Sequence, residues 1–343
     1  MTERSGRRQA SVRKPLRLAI LALDGCMLSS IAGPIDALRV AQKLAEIRQP
    51  LAPPLFEPRV VSLRGGTRVR TSSGLDIDGV VAPGAAIDVV LVPGVMHSSP
   101  DELAARLGGM QPEIEWLRAM HLRGVRIAAS CSGTFLLAAT GLLDGHRATT
   151  SWWLAAAMRQ AFPDVVLESE QMMVEDGGLV TTGAATAIYQ LILRLIADTG
   201  GDELAQQTAR MLVIDAERQS QAPYVSEALI QRPRNSLSER ADRVLQESLD
   251  GQISVAGLAQ RLNTSERSLL RHFREQYGES PLAHIQRLRV ERAKALLEAS
   301  HFSFEQIVER CGYSDVSSFR KLFKRATTLT PADYRERFRL RPR

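Results

Sequence analysis

Cys131 is the residue of this sequence that is best suited to covalent chemistry. An apolar β run ends at Ser130, and Ser132 and Gly133 lead into a helical segment. Small residues on both sides permit a tight strand-to-helix turn that would lift the thiol over the edge of a sheet. The N-terminus of the following helix would lower the pKa of that thiol. These residues indicate a candidate nucleophile, and a small buried cysteine is the alternative interpretation.

A second set of chemically suggestive residues occurs twice near the end of the chain. Each copy has the pattern of a helix, a tight turn, a second helix and a proline that stops it. From Leu269 and Phe319 onward, the two copies are offset by 50 residues. This arrangement predicts a pair of helix-turn-helix units, which bind DNA. The pattern comprises Leu258, Ala259, Leu269, Arg271, Phe273 and Pro281 in the first copy, and Ile307, Val308, Phe319, Lys321, Phe323 and Pro331 in the second.

The second helix of each copy is amphipathic. In the helix predicted over Ser265–Tyr277, Arg267, Arg271 and Arg274 fall opposite the apolar face at about 100° per residue. Ser265 is a suitable N-cap and Gly278 a suitable C-terminal cap. The helix predicted over Asp315–Ala326 repeats this pattern, with Ser317, Lys321 and Lys324 on its outward face.

A long helix is predicted between the two units, over Pro281–Ala299. At 1.5 Å per residue it spans about 28 Å. Successive major-groove faces of one side of a duplex are about 34 Å apart. Both recognition helices are therefore expected to reach the same side of the DNA.

The last part of the chain, residues 239–338, resembles the AraC-type DNA-binding domain. The resemblance implies two helix-turn-helix units that bind double-stranded promoter DNA. One departure is Thr328, where the family usually has glycine and the first copy has Gly278, so the second recognition helix is expected to end differently. The resemblance is carried by Ala256–Arg271, Cys311–Tyr313, Phe319–Phe323, Pro331 and Tyr334–Arg335.

The resemblance also implies which residues read bases. Arginine suits the O6 and N7 atoms of guanine, and serine is permissive. A solvated or phosphate-contacting side chain is the alternative for each residue. The candidates by motif position are Arg267, Ser268 and Arg271 in the first unit, and Ser317, Ser318 and Lys321 in the second.

Positive charge is concentrated at the two ends of the chain. The net charge is +6. Residues 235–343 hold 20 Lys and Arg against 14 Asp and Glu, and residues 1–17 hold 6 against 1, whereas residues 18–234 hold 18 against 23. A basic C-terminal part is the electrostatic footprint of phosphate binding.

The preceding residues alternate short apolar β runs with helical segments. Buried strands joined by helices favour a parallel sheet that is covered on both faces. The chain is therefore predicted to comprise a disordered basic tail (1–15), an α/β domain (16–225), a linker (226–238) and an all-α domain (239–343). Strands are predicted at Leu16–Leu23, Phe56–Leu63, Asp88–Val92, Val125–Ser130 and Leu179–Thr182. Helices are predicted at Pro34–Glu46, Pro112–Arg123, Gly133–Thr140, Trp152–Ala161 and Ala184–Thr199.

The α/β half resembles the PfpI-like, class I glutamine-amidotransferase-like superfamily, which implies a flavodoxin-like parallel sheet sandwich. Taken with the AraC-type half, the whole chain resembles GlxA-type transcriptional regulators. The residues that carry the resemblance are Gly33–Pro34, Val92–Gly94, Cys131–Gly133 and Gly141–Thr150.

Three departures from the superfamily bear on catalysis. Its enzymes pair the elbow cysteine with a histidine about twenty residues later, where this chain has Ser151. They commonly have an acidic residue where this chain has Ser30, and a glycine where it has Val95. A thiol needs a nearby base or cation to act as an efficient nucleophile. His97 and His146 are the remaining candidates for a base, although surface positions are the preferred interpretation for both.

The sequence therefore predicts a non-catalytic pocket that binds a small molecule. Hydroxyl groups, backbone N–H groups and an aromatic ring suit a polar effector, for which an amino-acid-derived or amine metabolite is the expectation from the resemblance. A cysteine-dependent hydrolase or hydratase and a redox sensor acting through Cys131 are the alternatives. The pocket is predicted to be lined by Ser30, Gly94, Val95, Cys131, Ser132, Ser151 and Trp152.

The expected role is a metabolite-controlled transcriptional regulator, and activation is the mode typical of AraC-type domains. A homodimer formed through the α/β domain and contact with RNA polymerase are expected. No cofactor or metal is expected, because Cys26, Cys131 and Cys311 lack the spacing of a zinc site. No apolar run reaches the roughly 18 residues that span a bilayer, so a cytoplasmic protein is predicted.

Overall fold

The computed structural model describes residues 14–216, 218–226, 236–248 and 253–339. They belong to two compact units. The first takes the chain as far as Ser151 together with Ala157–Gln219, and the second takes Trp152–Ala156 and the chain from Ser220 onward. The predicted tail 1–15 lies almost entirely outside the described residues. So does most of the predicted linker 226–238, within which a helix begins at Ser236.

The described residues of the first unit form ten strands. They are β1 (Leu16–Leu21), β2 (Phe56–Val61), β3 (Arg68–Arg70), β4 (Asp76–Asp78), β5 (Val89–Val92), β6 (Arg126–Ser130), β7 (Arg147–Ala148), β8 (Val166–Leu167), β9 (Met173–Asp176) and β10 (Leu179–Thr182). Six of them form one sheet in the order β2-β1-β5-β6-β10-β9. The first five strands of that order run parallel. All side chains of β5 and β10 are buried, as expected for a sheet covered on both faces. The predicted α/β fold class is confirmed.

The predicted sheet is parallel except at one edge. Strand β9 pairs with β10 in the antiparallel direction, and Asp176 lies opposite Leu179. Only Gly177 and Gly178 separate the two strands, and both have positive φ, at 59° and 80°. A two-residue turn with positive φ matches the twist of a hairpin, so these glycines set the antiparallel direction.

In the part of the first unit that the structure describes, seven α-helices accompany the sheet. They are α1 (Ser29–Arg48), α2 (Pro100–Gly108), α3 (Gln111–Leu122), α4 (Gly133–Ala139), α5 (Ala155–Ala161), α6 (Ile188–Gly200) and α7 (Asp202–Met211); the first residues of α5 fall in the second unit. Helices α1, α6 and α7 pack against one another, and α3 and α4 pack against β6. The sequence did not predict α2 and α7. Two predicted helices begin instead as 3-10 turns, at Trp152–Leu154 and Ala185–Ala187.

The described part of the second unit is helical, as predicted. Its helices are α8 (Ser236–Ser248), α9 (Val255–Arg261), α10 (Glu266–Tyr277), α11 (Pro281–Ala299), α12 (Phe304–Arg310), α13 (Val316–Thr327) and α14 (Pro331–Phe338). One apolar core is formed by α8 to α10 with the start of α11, and a second by the end of α11 with α12 to α14. Helix α11 thus contributes to both cores and has the bounds that the sequence predicts.

Within the described residues, no helix combines the length and the apolar character that crossing a membrane requires.

Candidate DNA interface and ligand site

The first helix-turn-helix unit consists of α9 and α10. The turn between them places Asn263 in the left-handed region, with φ of 53°, and the Thr264 N–H donates to the Ala259 carbonyl. The Ser265 hydroxyl caps α10 by accepting from the Ser268 N–H over 3.1 Å. Leu269 and Phe273 anchor α10, because both are fully buried in the first core. The predicted N-cap and buried face are confirmed.

The second unit of the pair consists of α12 and α13. Its turn is one residue longer, because Ser314 separates Tyr313 from the capping residue. Asp315 caps α13 by accepting from the backbone N–H groups of Ser317 and Ser318. These hydrogen bonds, led by that from the Ser318 hydroxyl, lower the pKa of Asp315. The cap is therefore a charged carboxylate near neutral pH, and it stabilises the positive end of the helix dipole.

The two recognition helices end alike, so the expectation that Thr328 changes the ending is wrong. Gly278 has φ of 68° and Thr328 has φ of 62°. The N–H of Gly278 donates to the Arg274 carbonyl, and that of Thr328 donates to the Lys324 carbonyl. Thr328 therefore adopts the left-handed cap, although a β-branched residue is strained there.

The cationic candidates for base reading lie on the outward faces of the two recognition helices. Arg267 and Arg271 of α10 and Lys321 of α13 are all exposed. The Arg271 side chain is 76% exposed, and its guanidinium is 3.9 Å from Glu275. Such side chains are free to reach a partner from a helix that is itself held rigidly by its apolar face.

The serine candidates are engaged within their own helices. The Ser268 hydroxyl lies 3.0 Å from the Ser265 hydroxyl. The Ser318 hydroxyl donates to Asp315 over 2.5 Å. Ser317 is exposed and contributes its backbone N–H to the cap. Base reading by Ser268 or Ser318 would compete with capping, so the arginines and Lys321 are the better supported candidates.

Cys131 lies in a strained turn between β6 and α4. Its φ of 57° is unusual for a residue other than glycine. Its N–H donates to the Thr182 carbonyl over 3.0 Å, which extends the pairing of β6 with β10. An ideal Cβ at Gly94 would lie 3.1 Å from the Cys131 Cβ. The predicted strand-to-helix elbow is present, and Gly94 leaves room for it.

The expected lowering of the Cys131 pKa is wrong. The residue is 3% exposed. Burial raises the pKa of the thiol, and hydrogen bonds from Ser151 and Ser132 offset this only in part. Helix α4 has seven residues, and the dipole of so short a helix does not outweigh desolvation. Cys131 is therefore a neutral thiol near neutral pH.

Two hydroxyls from the segment that follows α4 form hydrogen bonds with Cys131. The Ser151 hydroxyl donates to the Cys131 sulfur over 2.9 Å. The Thr150 hydroxyl donates to the Cys131 carbonyl over 2.8 Å. Ser151 thus occupies the position of a base, but a hydroxyl cannot remove the thiol proton at neutral pH.

The loop after β5 is closed by a side chain. The Ser132 hydroxyl accepts from the Val95 N–H and donates to the Val95 carbonyl, each over 2.8 Å. The N–H that could help to stabilise an oxyanion is thus already hydrogen-bonded. His97 contacts the Val95 carbonyl over 3.1 Å, and His146 contacts Asp176 over 3.3 Å. Each histidine has a partner other than the thiol.

Buried hydroxyls without partners distinguish this region. Ser30, another predicted lining residue, is 1% exposed. Among the described residues, the hydroxyls of Ser30, Ser130, Thr134 and Thr182 are buried without a hydrogen-bond partner. Ser130 pairs in register with Thr182 at the carboxyl ends of β6 and β10. Sequence reasoning missed Ser130, Thr134 and Thr182, although the expectation of ligands at that edge of the sheet could have found them.

Trp152, the remaining predicted lining residue, groups with the second unit. It is partly buried, and its ring makes an edge contact with Trp153 at 5.2 Å between centroids.

Two protein-family models match the chain. The model described as the DJ-1/PfpI family matches residues 17–198, which is more than half of the chain. The chain belongs to the DJ-1/PfpI family. The model described as a helix-turn-helix domain matches residues 258–337. The DJ-1/PfpI domain is therefore followed by an AraC-type helix-turn-helix domain, as the sequence predicts.

Relatives with the same architecture cover nearly the whole chain. The regulator GlxA of Rhizobium meliloti is 29% identical over 332 residues, which are 95% of this chain and 97% of GlxA. The regulator GbdR of Pseudomonas aeruginosa is 27% identical over 330 residues, which are 94% of this chain and 85% of GbdR. Both are named HTH-type transcriptional regulators. A solved structure from Vibrio parahaemolyticus has a TM-score of 0.50 and 21% identity, covers 58% of this chain and 100% of its own, and supports the α/β fold.

Proposed function

We propose that this protein is a transcriptional regulator that binds specific sites in double-stranded DNA. The observation that carries the proposal is the pair of rigidly capped recognition helices with Arg267, Arg271 and Lys321 exposed on their outward faces. Arginine can bind guanine through two hydrogen bonds in the major groove. Full-length relatives named as regulators support the same role.

A selection from fragmented genomic DNA of the source organism tests DNA recognition. The full-length chain should enrich a small set of fragments that share a motif in two elements about one helical turn apart. The double variant with Arg267→Ala and Arg271→Ala should lose the enrichment of one element. Uniform recovery of all fragments by the wild-type chain would contradict the proposal.

We propose further that a small effector binds within the DJ-1/PfpI domain without being converted. Six of the seven predicted lining residues belong to that unit, and Ser30, Cys131, Ser132 and Ser151 are all buried. Unsatisfied buried hydroxyls are costly, so a polar ligand that bonds to them would be stabilised. The neutral thiol and the engaged Val95 N–H favour binding over catalysis. An amino-acid-derived or amine metabolite is the ligand class that we propose.

Thermal shift measurements with a panel of such metabolites test the effector. A ligand at 100 times its Kd should stabilise the folded chain by about 2.7 kcal/mol. Ser30→Ala should weaken the shift, and Ser98→Ala, on an exposed loop, is the control. The effector should also change DNA affinity, because it acts through differential binding to two states. A ligand that stabilises the Ser30→Ala variant equally would place the site elsewhere.

One observation favours a cysteine-dependent hydrolase or hydratase as the second candidate. The positive φ of Cys131 is the kind of backbone strain that accompanies nucleophile elbows. Turnover that is lost in the Cys131→Ala variant would support this activity.

We also propose that the protein is a homodimer that activates transcription by contacting RNA polymerase in the cytoplasm. The support is the resemblance to AraC-type regulators. Sedimentation of the chain and transcription in vitro from an enriched fragment test the two points. A monomer would contradict dimerisation, and reduced transcript would indicate repression.

A further inference from the structure

The core of the first helix-turn-helix unit contains a fully buried histidine. His284 lies in the first turn of α11 and is 0% exposed. The 50-residue offset of the repeat places Tyr334 at the same position of the second copy, and Tyr334 is 1% exposed. The two cores therefore differ at one matched position, where the first has an imidazole and the second a phenol.

His284 connects three structural elements. Its Nδ1 is 2.8 Å from Glu279 Oε1, in the turn that follows α10. Its Nε2 is 3.7 Å from Asp242 Oδ1 on α8, an ion-pair distance. Its ring packs on Phe273 and Tyr277 of α10, with centroids 5.2 and 4.5 Å apart. The imidazole thus contacts helix α8, the turn that follows α10, and the buried face of recognition helix α10.

The matched tyrosine is held differently. The Tyr334 hydroxyl donates to Glu298 over 2.7 Å, and Glu298 belongs to α11. Burial and that carboxylate raise the pKa of Tyr334 above its ordinary value, so the phenol is neutral. The second helix-turn-helix unit consequently has no group at this position that changes charge near neutral pH.

We propose that His284 is a positioning residue whose protonated form holds recognition helix α10 in place, so that DNA binding by the first helix-turn-helix unit depends on pH. The inference rests on the proposed DNA-binding function. The charged and titratable groups that face the imidazole are Asp242 from α8, Tyr277 from α10, Glu279 from the turn and Arg287 from α11. A protonated imidazole places its charge between Glu279 and Asp242. Arg287 contacts Glu279 over 2.6 Å and lies 2.9 Å from the imidazole Nδ1, where its like charge opposes protonation, so the two carboxylates must outweigh it.

The direction of the pH dependence follows from the surroundings of His284. Burial alone would lower the pKa of His284, but the hydrogen bond with Glu279 and the negative charges of Asp242 and Glu279 outweigh burial and raise it. A raised pKa means that protonation stabilises the folded arrangement. This stabilisation is complete below the ordinary histidine value of about 6.5. It is lost as the pH rises through the raised value.

Fluorescence anisotropy with the full-length chain and an enriched DNA fragment tests the proposal between about pH 6 and pH 8.5. Wild-type affinity should fall by about fivefold as the pH rises, a coupling at the low end for linked sites. His284→Tyr, which copies the second repeat, should flatten the profile. His272→Gln, on the same unit but only partly buried, should retain it. An unchanged slope in His284→Tyr would overturn the proposal.

If His284→Tyr does not fold, a measurement on the wild-type chain tests the same proposal. NMR titration of the wild-type histidine rings, with His284 assigned by its absence in His284→Gln, should give a pKa above that of free histidine. A pKa at or below the free value would overturn the proposal. Specific binding with no pH dependence would refute only the role of His284, whereas no specific binding at any pH would refute the DNA-binding function as well.

Discussion

The Ser151 hydroxyl donates a hydrogen bond to the Cys131 sulfur over 2.9 Å. In this geometry the sulfur is the hydrogen-bond acceptor, so Ser151 does not act as a base that removes the thiol proton. Because burial also raises the pKa of the thiol, Cys131 has the backbone shape of a nucleophile without the means of activation. This combination disfavours thiol catalysis and agrees with the proposal that the DJ-1/PfpI domain binds its ligand without converting it.

The neutral thiol predicts slow alkylation. At pH 8, iodoacetamide should modify Cys131 in the folded chain at least about tenfold more slowly than in the urea-unfolded chain, because the reactive thiolate is disfavoured and access is restricted. Mass spectrometry of the Cys131 peptide gives both rates. Faster modification in the folded chain would indicate an activated thiolate and would support the hydrolase or redox-sensor alternatives.

Arg271 is predicted to read a base. Arg271→Ala should weaken binding to an enriched fragment by roughly 10- to 100-fold, as expected for one lost bidentate contact. Binding to a scrambled duplex should change far less. Arg320→Ala is the matched control, because Arg320 of α13 lies 5.2 Å from the Phe304 ring and faces Glu305. Equal losses on both duplexes would make Arg271 a phosphate contact.

The two left-handed caps predict opposite effects of exchanging their residues. Thr328→Gly should stabilise the second helix-turn-helix unit by about 1 kcal/mol, because glycine relieves the strain of positive φ. Gly278→Thr should destabilise the first helix-turn-helix unit by about 1–2 kcal/mol. An added Cβ at Gly278 would meet no atom within 4 Å, so the comparison isolates backbone strain. Calorimetry measures both shifts, and stabilisation by Gly278→Thr would refute this interpretation of the caps.

The ion pair at the start of β1 predicts an acid-dependent contribution to stability. Arg17 Nη2 and Asp88 Oδ1 are 2.7 Å apart, and the hydrogen bond from Arg17 lowers the pKa of Asp88. Because this pKa is lowered, the ion pair stabilises the fold fully above the ordinary Asp value of about 3.9, and the stabilisation is lost as the pH falls through the lowered value. Asp88→Asn should cost about 1 kcal/mol at pH 7, since the pair is more than a third exposed.

Urea unfolding at pH 7 and near pH 3 measures this effect. Wild type and Asp88→Asn should differ at pH 7, and the difference should shrink near pH 3, because the pH is then approaching the lowered pKa of Asp88, below which its folded carboxyl is protonated. A difference that persists undiminished in acid would assign the effect to packing.

The sequence predicted those elements whose ends carry local signals. Helix α11 was predicted with its observed bounds because Ser280 and Pro281 form a recognisable start. Strand β9 was missed because it has four residues and lies at an edge. The pair Gly177 and Gly178 is nevertheless a hairpin signal that the sequence displays.

The site was predicted less completely, because its contacts join residues distant in sequence. Nothing in the spacing of Ser132 and Val95 indicates that the Ser132 hydroxyl hydrogen-bonds to the Val95 backbone. The role of Asp315 as a cap that engages Ser318 depends on side-chain geometry. His284 could have been found, since the repeat aligns it with Tyr334 and an imidazole at a core position is unusual.

The most direct test of sequence-specific DNA binding is a titration of the full-length chain against two duplexes of equal length and composition. One carries the most enriched genomic motif, and the other carries the same bases in scrambled order. A sequence-specific regulator should bind the motif more tightly than the scrambled duplex by at least about 10³-fold near physiological salt. Equal affinity for the two duplexes would contradict sequence-specific binding.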